Sequence, residues 1–433
     1  MSGTRVGLLC GYLDPTRDGV ADYTRQLAVH LRSTGLDPLV VTTCEWARAA
    51  GEGAVGVTEC WDVRGVVAAG RALRRLDLDL VHVQFAPSVF GFSRAVGLLP
   101  LLLPGRIPLV VTLHEYGVWS GDGRGRRGRS AVWSAAERCG YAERETLLLV
   151  PRAVCLLVPS REHLEVLRGR FGGHAPATFE VPIGLNVGVA TSGHARARVE
   201  VRRALGAAPE APLVVFFGFL HPDKALDRLI AAVAGVGAQR PGVRLLLIGG
   251  AVSHSVPRAA ARRLRRELEQ VAAACGLQDQ VHFTGYLPAA EVSRLLQAAD
   301  LAAFPFNAGV TRKSGSLLAA LAAGVPVVAT APPGEVRGTT ETGGVLRVPP
   351  RDTAALSDAL GRVLSDRALA DRLTAAGRAA AARHSWDAIA AAHAGVYARA
   401  LACHRGRKSW TGVAEPSRVG PSTAVEGDAD VTA

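Results

Sequence analysis

The feature that most constrains the fold is an alternation of short apolar runs with amphipathic stretches. The apolar runs are rich in Val and Leu with little polar alternation, which is typical of strands buried on both faces of a parallel sheet. In the first half they are Val6–Cys10, Leu39–Thr43, Leu80–Gln84, Leu109–Leu113 and Val154–Val158. Helical patterns such as Asp22–Leu31 and Val63–Leu76 separate them. The first half therefore predicts a doubly wound α/β domain.

The same alternation starts again at Leu213–Phe217. The predicted elements that follow are Asp227–Gln239 (helix), Val243–Ile248 (strand), Arg258–Cys275 (helix), Val281–Phe283 (strand), Glu291–Ala298 (helix) and Leu301–Phe304 (strand). We predict two Rossmann-like domains facing a central cleft, residues 1–195 and 210–385, with a linker at 193–212. A last helix, 386–403, is predicted to cross back to the first domain, and 404–433 reads as a disordered tail.

The charge balance does not favour a nucleic-acid partner. The formal net charge is +12, but the basic residues are spread along the chain and aromatic residues make up only 5%. No zinc, RNP or homeodomain pattern occurs. An affinity for anionic substrates or headgroups is the simpler interpretation.

The cysteines and the apolar stretches bear on the compartment. Seven cysteines are scattered without metal-binding or CxxC spacing, which suits free thiols in a reducing cytoplasm. No long apolar signal region precedes the first strand. The most apolar stretch, Leu98 to Leu113, contains Pro100, Pro104 and Pro108 and is not expected to span a membrane.

The stretch Phe304 to Thr330 is the strongest candidate for a ligand site. It reads as a strand end, a loop, a short helix and a second strand, with Ser314 as the predicted N-cap. Arg312 and Lys313 stand just before that helix, so cations neighbour its free N–H groups and favour an anion. A crossover helix with two solvated basic residues is the alternative interpretation.

Three other strand ends carry candidate residues. Gly19 precedes the first predicted helix, and Gly218 and Lys224 follow the first strand of the second domain. Lys224 is one of only three lysines in the chain and suits a diphosphate as a point charge. His114 closes the strand Leu109–Leu113, where it suits a sugar hydroxyl or a phosphate. The alternatives are an exposed loop lysine and a strand-end histidine bonded to a neighbouring loop.

The segment 120–130 is rich in Gly and Arg. Residues Gly123 to Gly128 formally match GxGxxG, but they do not lie tightly between a strand and its helix. We interpret the segment as a basic loop that makes a peripheral membrane contact or faces an acidic acceptor. A merely solvated loop is the alternative.

Taken together, the motifs resemble glycosyltransferase family 4, which has the two-domain GT-B architecture. The motifs, which cover roughly residues 5 to 400, are HVQF, VVTLHEY, VPS, VPIGLN, FFGFLHPDKALDRLI, VHFTGYLPAAEVSRLLQAADL and AALAAGVPVVAT. The resemblance implies a retaining transferase that uses a nucleotide-diphosphate sugar and needs neither cofactor nor metal. It implies an acceptor hydroxyl on a small molecule or a lipid.

The resemblance also implies roles for particular residues. Lys224 and Gly218 match the diphosphate-binding lysine and the glycine before it, and His114 matches a histidine near the transferred sugar. The remaining matches and candidates are Gly285, Tyr286 and Leu287 around the base, Gly19 beside donor and acceptor and at the diphosphate, and Arg312, Lys313, Ser314, Gly315 and Ser316 also at the diphosphate.

The chain departs from the family at three positions. Thr311 and Ala319 stand where two glutamates usually occur, and Phe219 stands where an arginine usually follows the glycine. We predict an active but divergent branch, with His114, Lys224 and Thr311 as catalytic residues. The alternatives are a catalytically idle accessory protein and a GT-B enzyme of different chemistry, an epimerase or a non-glycosidic coupling enzyme.

Overall fold

The computed structural model describes residues 3–14, 18–51, 53–117, 127–185, 187–188, 194–251, 257–311, 314–332 and 340–406, without side chains at 127–130. These residues form two α/β units, each built around a seven-stranded sheet. The predicted fold class is confirmed. Among the described residues, no helix combines the length and apolarity that a bilayer crossing requires.

The first sheet is entirely parallel and has the strand order β3-β2-β1-β4-β5-β6-β7. Its strands are β1 (Arg5–Leu9), β2 (Asp37–Thr43), β3 (Ala54–Thr58), β4 (Leu80–Phe85), β5 (Leu109–Leu113), β6 (Cys155–Val158) and β7 (Ala177–Glu180). The helices around it are α1 (Gly19–Leu31), α2 (Cys44–Ala50), α3 (Val63–Leu73), α4 (Arg127–Arg138) and α5 (Arg161–Phe171).

The second sheet has the order β10-β9-β8-β11-β12-β14-β13 and is parallel except for the pair β13–β14. Its strands are β8 (Leu213–Phe217), β9 (Arg244–Ile248), β10 (Val281–Gly285), β11 (Leu301–Phe304), β12 (Val327–Thr330), β13 (Thr340–Thr342) and β14 (Val345–Val348). The helices are α6 (His194–Ala204), α7 (Leu226–Gln239), α8 (Arg258–Ala274), α9 (Ala289–Ala298), α10 (Gly315–Ala323), α11 (Thr353–Ser365) and α12 (Arg367–Ala381).

The last helix, α13 (Trp386–Arg405), packs on the first unit although it follows the second in the chain. Trp386, Ile389, Val396 and Tyr397 belong to the apolar core around the first sheet. Because apolar side chains recur on one face of α13, burying that face against α1 removes them from water.

The chain crosses between the two units twice, and the crossings lie side by side. The Leu185 N–H donates to the His384 carbonyl at 3.2 Å. The Trp386 indole N–H donates to the Leu185 carbonyl at 2.8 Å. A Cβ added to Gly184 would lie 2.5 Å from the Trp386 ring, so this ring requires a glycine at 184.

The predicted linker at 193–212 is wrong for residues 194–204, which form α6. Ala197 and Val201 join the core of the second unit, and the Arg202 guanidinium pairs with the Asp300 carboxylate. The charged composition suggested a solvated segment, but Arg196, Arg198 and Arg202 pair with carboxylates and Ala197 is buried. Sequence reasoning also missed β3, β7, β13 and β14, and it placed the start of α1 three residues too late, at Asp22 instead of Gly19.

Candidate functional site

Glycines close three neighbouring strands of the second sheet, at the edge where parallel sheets bind ligands. Gly218 (φ +147°) follows β8, Gly249 (φ +138°) follows β9, and Gly285 ends β10. A Cβ on Gly249 would lie 2.1 Å from the Gly218 carbonyl oxygen. The Gly249 N–H donates to the Gly285 carbonyl at 3.1 Å. The three strand ends therefore form one surface made of backbone, which a ligand can approach closely.

The start of α10 lies directly against this surface. Ser314 is its N-cap, with its hydroxyl accepting from the Leu317 N–H at 3.3 Å. A Cβ on Gly218 would lie 2.9 Å from the Ser316 hydroxyl oxygen. The structure thus brings together Gly218 and Ser316, which are far apart in the chain. Because the first N–H groups of a helix lack intrahelical partners, this start suits an anion.

Two hydrogen bonds to backbone carbonyls fix the loop before α10. The Thr311 carbonyl accepts from the Ser314 N–H at 3.1 Å, and Arg347 of β14 donates to the Val310 carbonyl at 2.7 Å. Gly315 begins the helix with Ile183, from a crossing segment, 4.0 Å from where its Cβ would be. Two predicted site residues, Arg312 and Lys313, lie outside the described residues.

Lys224 ends a short 3-10 turn, Pro222–Lys224, after β8. Its ammonium nitrogen lies 3.6 Å from the centroid of the Phe306 ring. An ammonium over an aromatic face is stabilised by the ring quadrupole, and the effect grows when water is excluded. Phe306 was not predicted as a site residue, although it follows β11 at the same edge of the sheet as Gly218.

The turn that carries Lys224 is fixed by hydrogen bonds to Asn307. The Asn307 N–H donates to the Asp223 carbonyl at 2.9 Å, and its side-chain amide donates to the Pro222 carbonyl at 3.3 Å. Arg228 of α7 donates to the Asn307 side-chain oxygen at 2.6 Å. The lysine therefore projects from a turn whose position is set by a second strand end.

Burial lowers the pKa of Lys224 from 10.5 to about 8, and the Asp223 and Glu115 carboxylates oppose that shift. Glu115 follows β5 of the first unit, so Lys224 lies within electrostatic reach of the opposite side of the cleft. An amine that loses hydration in the free protein gains more from a bound phosphate than a solvated one does. The alternative of an exposed loop lysine does not fit this environment.

A cavity of about 710 Å³ opens beside Gly249 and Gly285. Its outer wall belongs to α8 and carries the arginines Arg258, Arg262, Arg265 and Arg266. The Arg265 guanidinium lies 3.9 Å from the centroid of the Phe283 ring. This basic wall was missed at the sequence level because α8 reads as an ordinary solvated helix with i,i+4 ion pairs.

The segment predicted to line a base lies at the mouth of this cavity. Tyr286 is 48% exposed, and Leu287 packs at the margin of the second core. Partial burial, then the carboxylates of Asp22 and Asp14, raise the pKa of Tyr286. Both aspartates belong to the first unit, so Tyr286 also faces across the cleft.

On the first unit, Gly19 is the first residue of α1, and the space where its Cβ would lie is open. The N-cap is Asp18, whose carboxylate accepts from the Val20 N–H at 2.7 Å and from the Ser88 hydroxyl at 3.1 Å. The negative charge of this cap already compensates the positive end of the α1 dipole. The α1 start is therefore less suited to a diphosphate than that of α10.

His114 follows β5, and its Nε2 lies 2.8 Å from the Gln84 side-chain oxygen. Its ring meets the Tyr23 ring edge-on at a centroid distance of 4.8 Å. Burial, and then His393 and His163, lower the pKa of His114 to about 3. The bonded partner is therefore a strand side chain rather than a neighbouring loop, and the imidazole is neutral near pH 7.

The described residues contain no group of three or more His, Cys, Asp or Glu side chains placed to hold a metal ion. Residues 118–126 of the predicted basic loop lie outside the described residues, and its last residues, from Arg127, begin α4. All seven cysteines are free.

Two family profiles match the two halves of the chain. The profile described as "Glycosyltransferase Family 4" matches residues 17–187, and the profile described as "Glycosyl transferases group 1" matches residues 211–366. The first match covers strands β2 to β7 of the first sheet, the second covers all strands of the second sheet, and the boundary between the matches falls between β7 and β8.

A curated relative supports the same assignment. The D-inositol 3-phosphate glycosyltransferase of Xylanimonas cellulosilytica is 32% identical over 301 residues, which cover 68% of this chain and 67% of the relative. For four such relatives, the matched part spans 46% to 67% of the relative's own length.

Solved structures share the fold. Sucrose-phosphate synthase from Thermosynechococcus elongatus superposes with a TM-score of 0.68 at 23% identity, covering 92% of this chain and 100% of that chain. HepE of Anabaena in complex with UDP and glucose gives 0.67 at 18% identity, with the same coverage. The chain therefore belongs to glycosyltransferase family 4 and is an enzyme of the glycosyltransferase class with the GT-B fold.

Proposed function

We propose that the protein is a retaining glycosyltransferase that moves a sugar from a nucleotide-diphosphate sugar to a hydroxyl of a small-molecule or lipid-linked acceptor. The observation that carries the proposal is the approach of the α10 start, at Ser316, to Gly218. Lys224 follows the same strand, β8, and its ammonium lies over the Phe306 ring. A backbone surface, free helix N–H groups and an ammonium are the groups that a diphosphate needs.

The reaction then depends mainly on stabilising the leaving group. The bond between the sugar C1 and the diphosphate oxygen breaks, and a bond from C1 to the acceptor oxygen forms on the same face. The acceptor proton passes to the departing phosphate oxygen. Lys224 and the α10 start stabilise the charge that develops there, so no side-chain base and no metal are required. The proposal includes no cofactor.

The divergent positions affect substrate binding more than departure of the diphosphate. Ala319 is 2% exposed and packs in the second core, so it offers no polar group to a ribose. The absent carboxylate should raise KM. The Thr311 hydroxyl, beside the α10 start, is our candidate for part of the sugar contact, and His114 supplies a second polar group across the cleft.

The acceptor side is acidic at the α1 start. Asp14 and Asp22 of the first unit face Tyr286 across the cleft, and carboxylates accept hydrogen bonds from hydroxyl groups. Since curated relatives are named D-inositol 3-phosphate glycosyltransferases, inositol phosphate belongs in the acceptor panel. The free cysteines suit a cytoplasmic enzyme. The membrane contact of loop 120–130 stays a prediction.

The test is release of nucleoside diphosphate from UDP-, GDP- and dTDP-sugars, offered with inositol phosphate, aminocyclitol, polyol and lipid acceptors. We expect turnover for at least one pair, with the anomeric configuration of the donor kept in the product. The Lys224→Ala variant serves as the control for contaminating activity. Nucleotide binding without any turnover would favour the accessory-protein alternative, and failure to bind any nucleotide would contradict both.

A further inference from the structure

A chain of polar side chains leads from His114 into the core of the first unit. His82 and Gln84 lie two residues apart on β4, and Thr112 and His114 lie two apart on β5 and its continuation. Gln84 stands opposite Thr112 in the parallel register. Because side chains alternate between the faces of a strand, all four project from one face of the sheet, the face that α13 covers.

The bond between Gln84 and His114 defines the tautomer of the imidazole. The Gln84 side-chain oxygen only accepts, so the Nε2 of His114, 2.8 Å away, carries the hydrogen and donates it. In a neutral ring the other nitrogen, Nδ1, is then an acceptor. Among the described residues nothing hydrogen-bonds to Nδ1, and His114 is only partly buried at the cleft.

Gln84 is itself oriented by His82. The Gln84 amide nitrogen lies 3.1 Å from Nδ1 and 3.3 Å from Nε2 of His82, and these similar distances place it against the ring face. The ring nitrogens bond to two hydroxyls, Tyr397 of α13 at 2.6 Å and Thr112 at 2.7 Å. Both hydroxyls donate or accept, so the His82 ring is fully bonded without a charge. The fixed plane of the His82 ring then determines where the Gln84 amide packs.

The groups around His114 keep it uncharged. The titratable side chains near it are Tyr23 of α1, His82 of β4, His163 of α5 and His393 of α13, with Glu115 next in the chain and Tyr397 of α13 behind His82. Burial lowers the pKa of His82 and His393 and raises the pKa of Tyr23 and Tyr397, so these four are neutral near pH 7. The ring of His393 is likewise fixed, because its Nδ1 donates to the Ile389 carbonyl at 2.8 Å.

We infer that Gln84, oriented by His82 and the Tyr397 hydroxyl of the crossing helix, is a positioning residue that presents the neutral Nδ1 of His114 to the cleft as a hydrogen-bond acceptor. The inference rests on the proposed function in one respect: if the protein binds a nucleotide sugar, the group that donates to Nδ1 is a hydroxyl of the donor sugar. It makes the first unit's contribution to sugar binding depend on a helix that follows the second unit in sequence.

The test begins with the tautomer in the whole protein. In protein carrying ¹⁵N-labelled histidine, the imidazole nitrogen shifts of His114, assigned from their absence in His114→Gln, should show the Nε2–H form from about pH 5 to about pH 8. Gln84→Glu puts a carboxylate on Nε2–H, which favours the imidazolium and raises the pKa of His114. We expect His114 to titrate within that range in this variant.

Kinetics supply the second readout. For whichever nucleotide sugar turns over, kcat/KM of Gln84→Glu should fall about tenfold relative to the wild type as the pH drops from about 8 to about 5.5, because a protonated Nδ1 no longer accepts. Gln278→Glu adds the same charge at an exposed position and should follow the wild type. Gln84→Met, which removes the acceptor without adding a charge, should give mixed tautomers and an affinity for UDP or GDP within about twofold of the wild type.

A wild-type His114 in the Nδ1–H form, or one that titrates between about pH 5 and pH 8, overturns the inference without any variant. An unchanged tautomer in Gln84→Met also overturns it. If no nucleotide sugar turns over, the proposed function fails, and the nitrogen shifts still decide the role of Gln84.

Discussion

Two helices begin at the cleft with different caps. In the first unit, α1 begins behind the Asp18 carboxylate, with Asp14 and Asp22 nearby. In the second unit, α10 begins behind the neutral Ser314 hydroxyl, and Ser316 touches the backbone surface at Gly218. Both caps accept a hydrogen bond from a backbone N–H of the first turn, yet only the neutral one leaves the positive end of the helix dipole for a ligand. The cap residues therefore give the two faces of the cleft different charges: the α1 face is negative, and the α10 face keeps the positive end of its helix dipole.

Placing a negative charge at the α10 N-cap should have the largest effect on nucleotide binding. Ser314→Asp keeps a good N-cap, so the free energy of unfolding should change by less than about 1 kcal/mol. A carboxylate beside the bound diphosphate should weaken nucleotide binding by about 3 kcal/mol, since juxtaposed like charges cost several kcal/mol. Calorimetric titration with UDP and GDP measures this. Ser314→Asn, a neutral cap of similar size, is the control, and equal affinity in both variants would contradict the role of α10.

Removing the Lys224 ammonium should have the next largest effect on nucleotide binding. Lys224→Ala should weaken binding of the nucleoside diphosphate by roughly 1.5–3 kcal/mol, the scale of a hydrogen bond to a charged group. The same titration measures the loss. Lys408→Ala removes a lysine from the segment after α13 and should bind as the wild type does. Unchanged affinity in Lys224→Ala would show that Lys224 is not a phosphate contact.

The pH should act through the same lysine. Because the pKa of Lys224 in the free protein is about 8, its ammonium is present at about pH 7 and mostly lost at about pH 9. Nucleotide affinity should therefore fall by up to about tenfold over that interval. Binding measured at several pH values tests this, with Lys224→Ala as the variant in which the dependence disappears. A fall of the same size in that variant would assign the titration to another group.

Neutralising the α1 cap should have the smallest effect. Asp18→Asn keeps the N-cap and loses only the charge–dipole interaction, so the free energy of unfolding should drop by less than about 1 kcal/mol. Affinity for UDP or GDP should stay within about twofold of the wild type. Chemical denaturation and calorimetry measure the two quantities. A large gain or loss of nucleotide affinity would show that α1, like α10, binds the diphosphate.

The sequence by itself determined the two α/β units and the α10 start. Short Val- and Leu-rich runs predict parallel strands because such strands are buried on both faces, and Ser314 before an apolar helix predicts a neutral cap. The prediction of a linker failed for a segment whose charged composition resembles that of a solvated loop. The charged segment 194–204 folds as α6 because its arginines meet partners such as Asp300, which is distant in the chain.

Only the tertiary structure decided what surrounds each candidate residue. Burial in the folded protein lowers the pKa of Lys224, and its ammonium lies over the Phe306 ring, some eighty residues further along the chain. His114 gains a defined tautomer from Gln84, and Gln84 is oriented through His82 by Tyr397 at the far end of the chain. Burial and hydrogen-bond partners are properties of residues brought together by folding. For that reason the sequence indicated these residue types, and the packing of strands and helices set their chemistry.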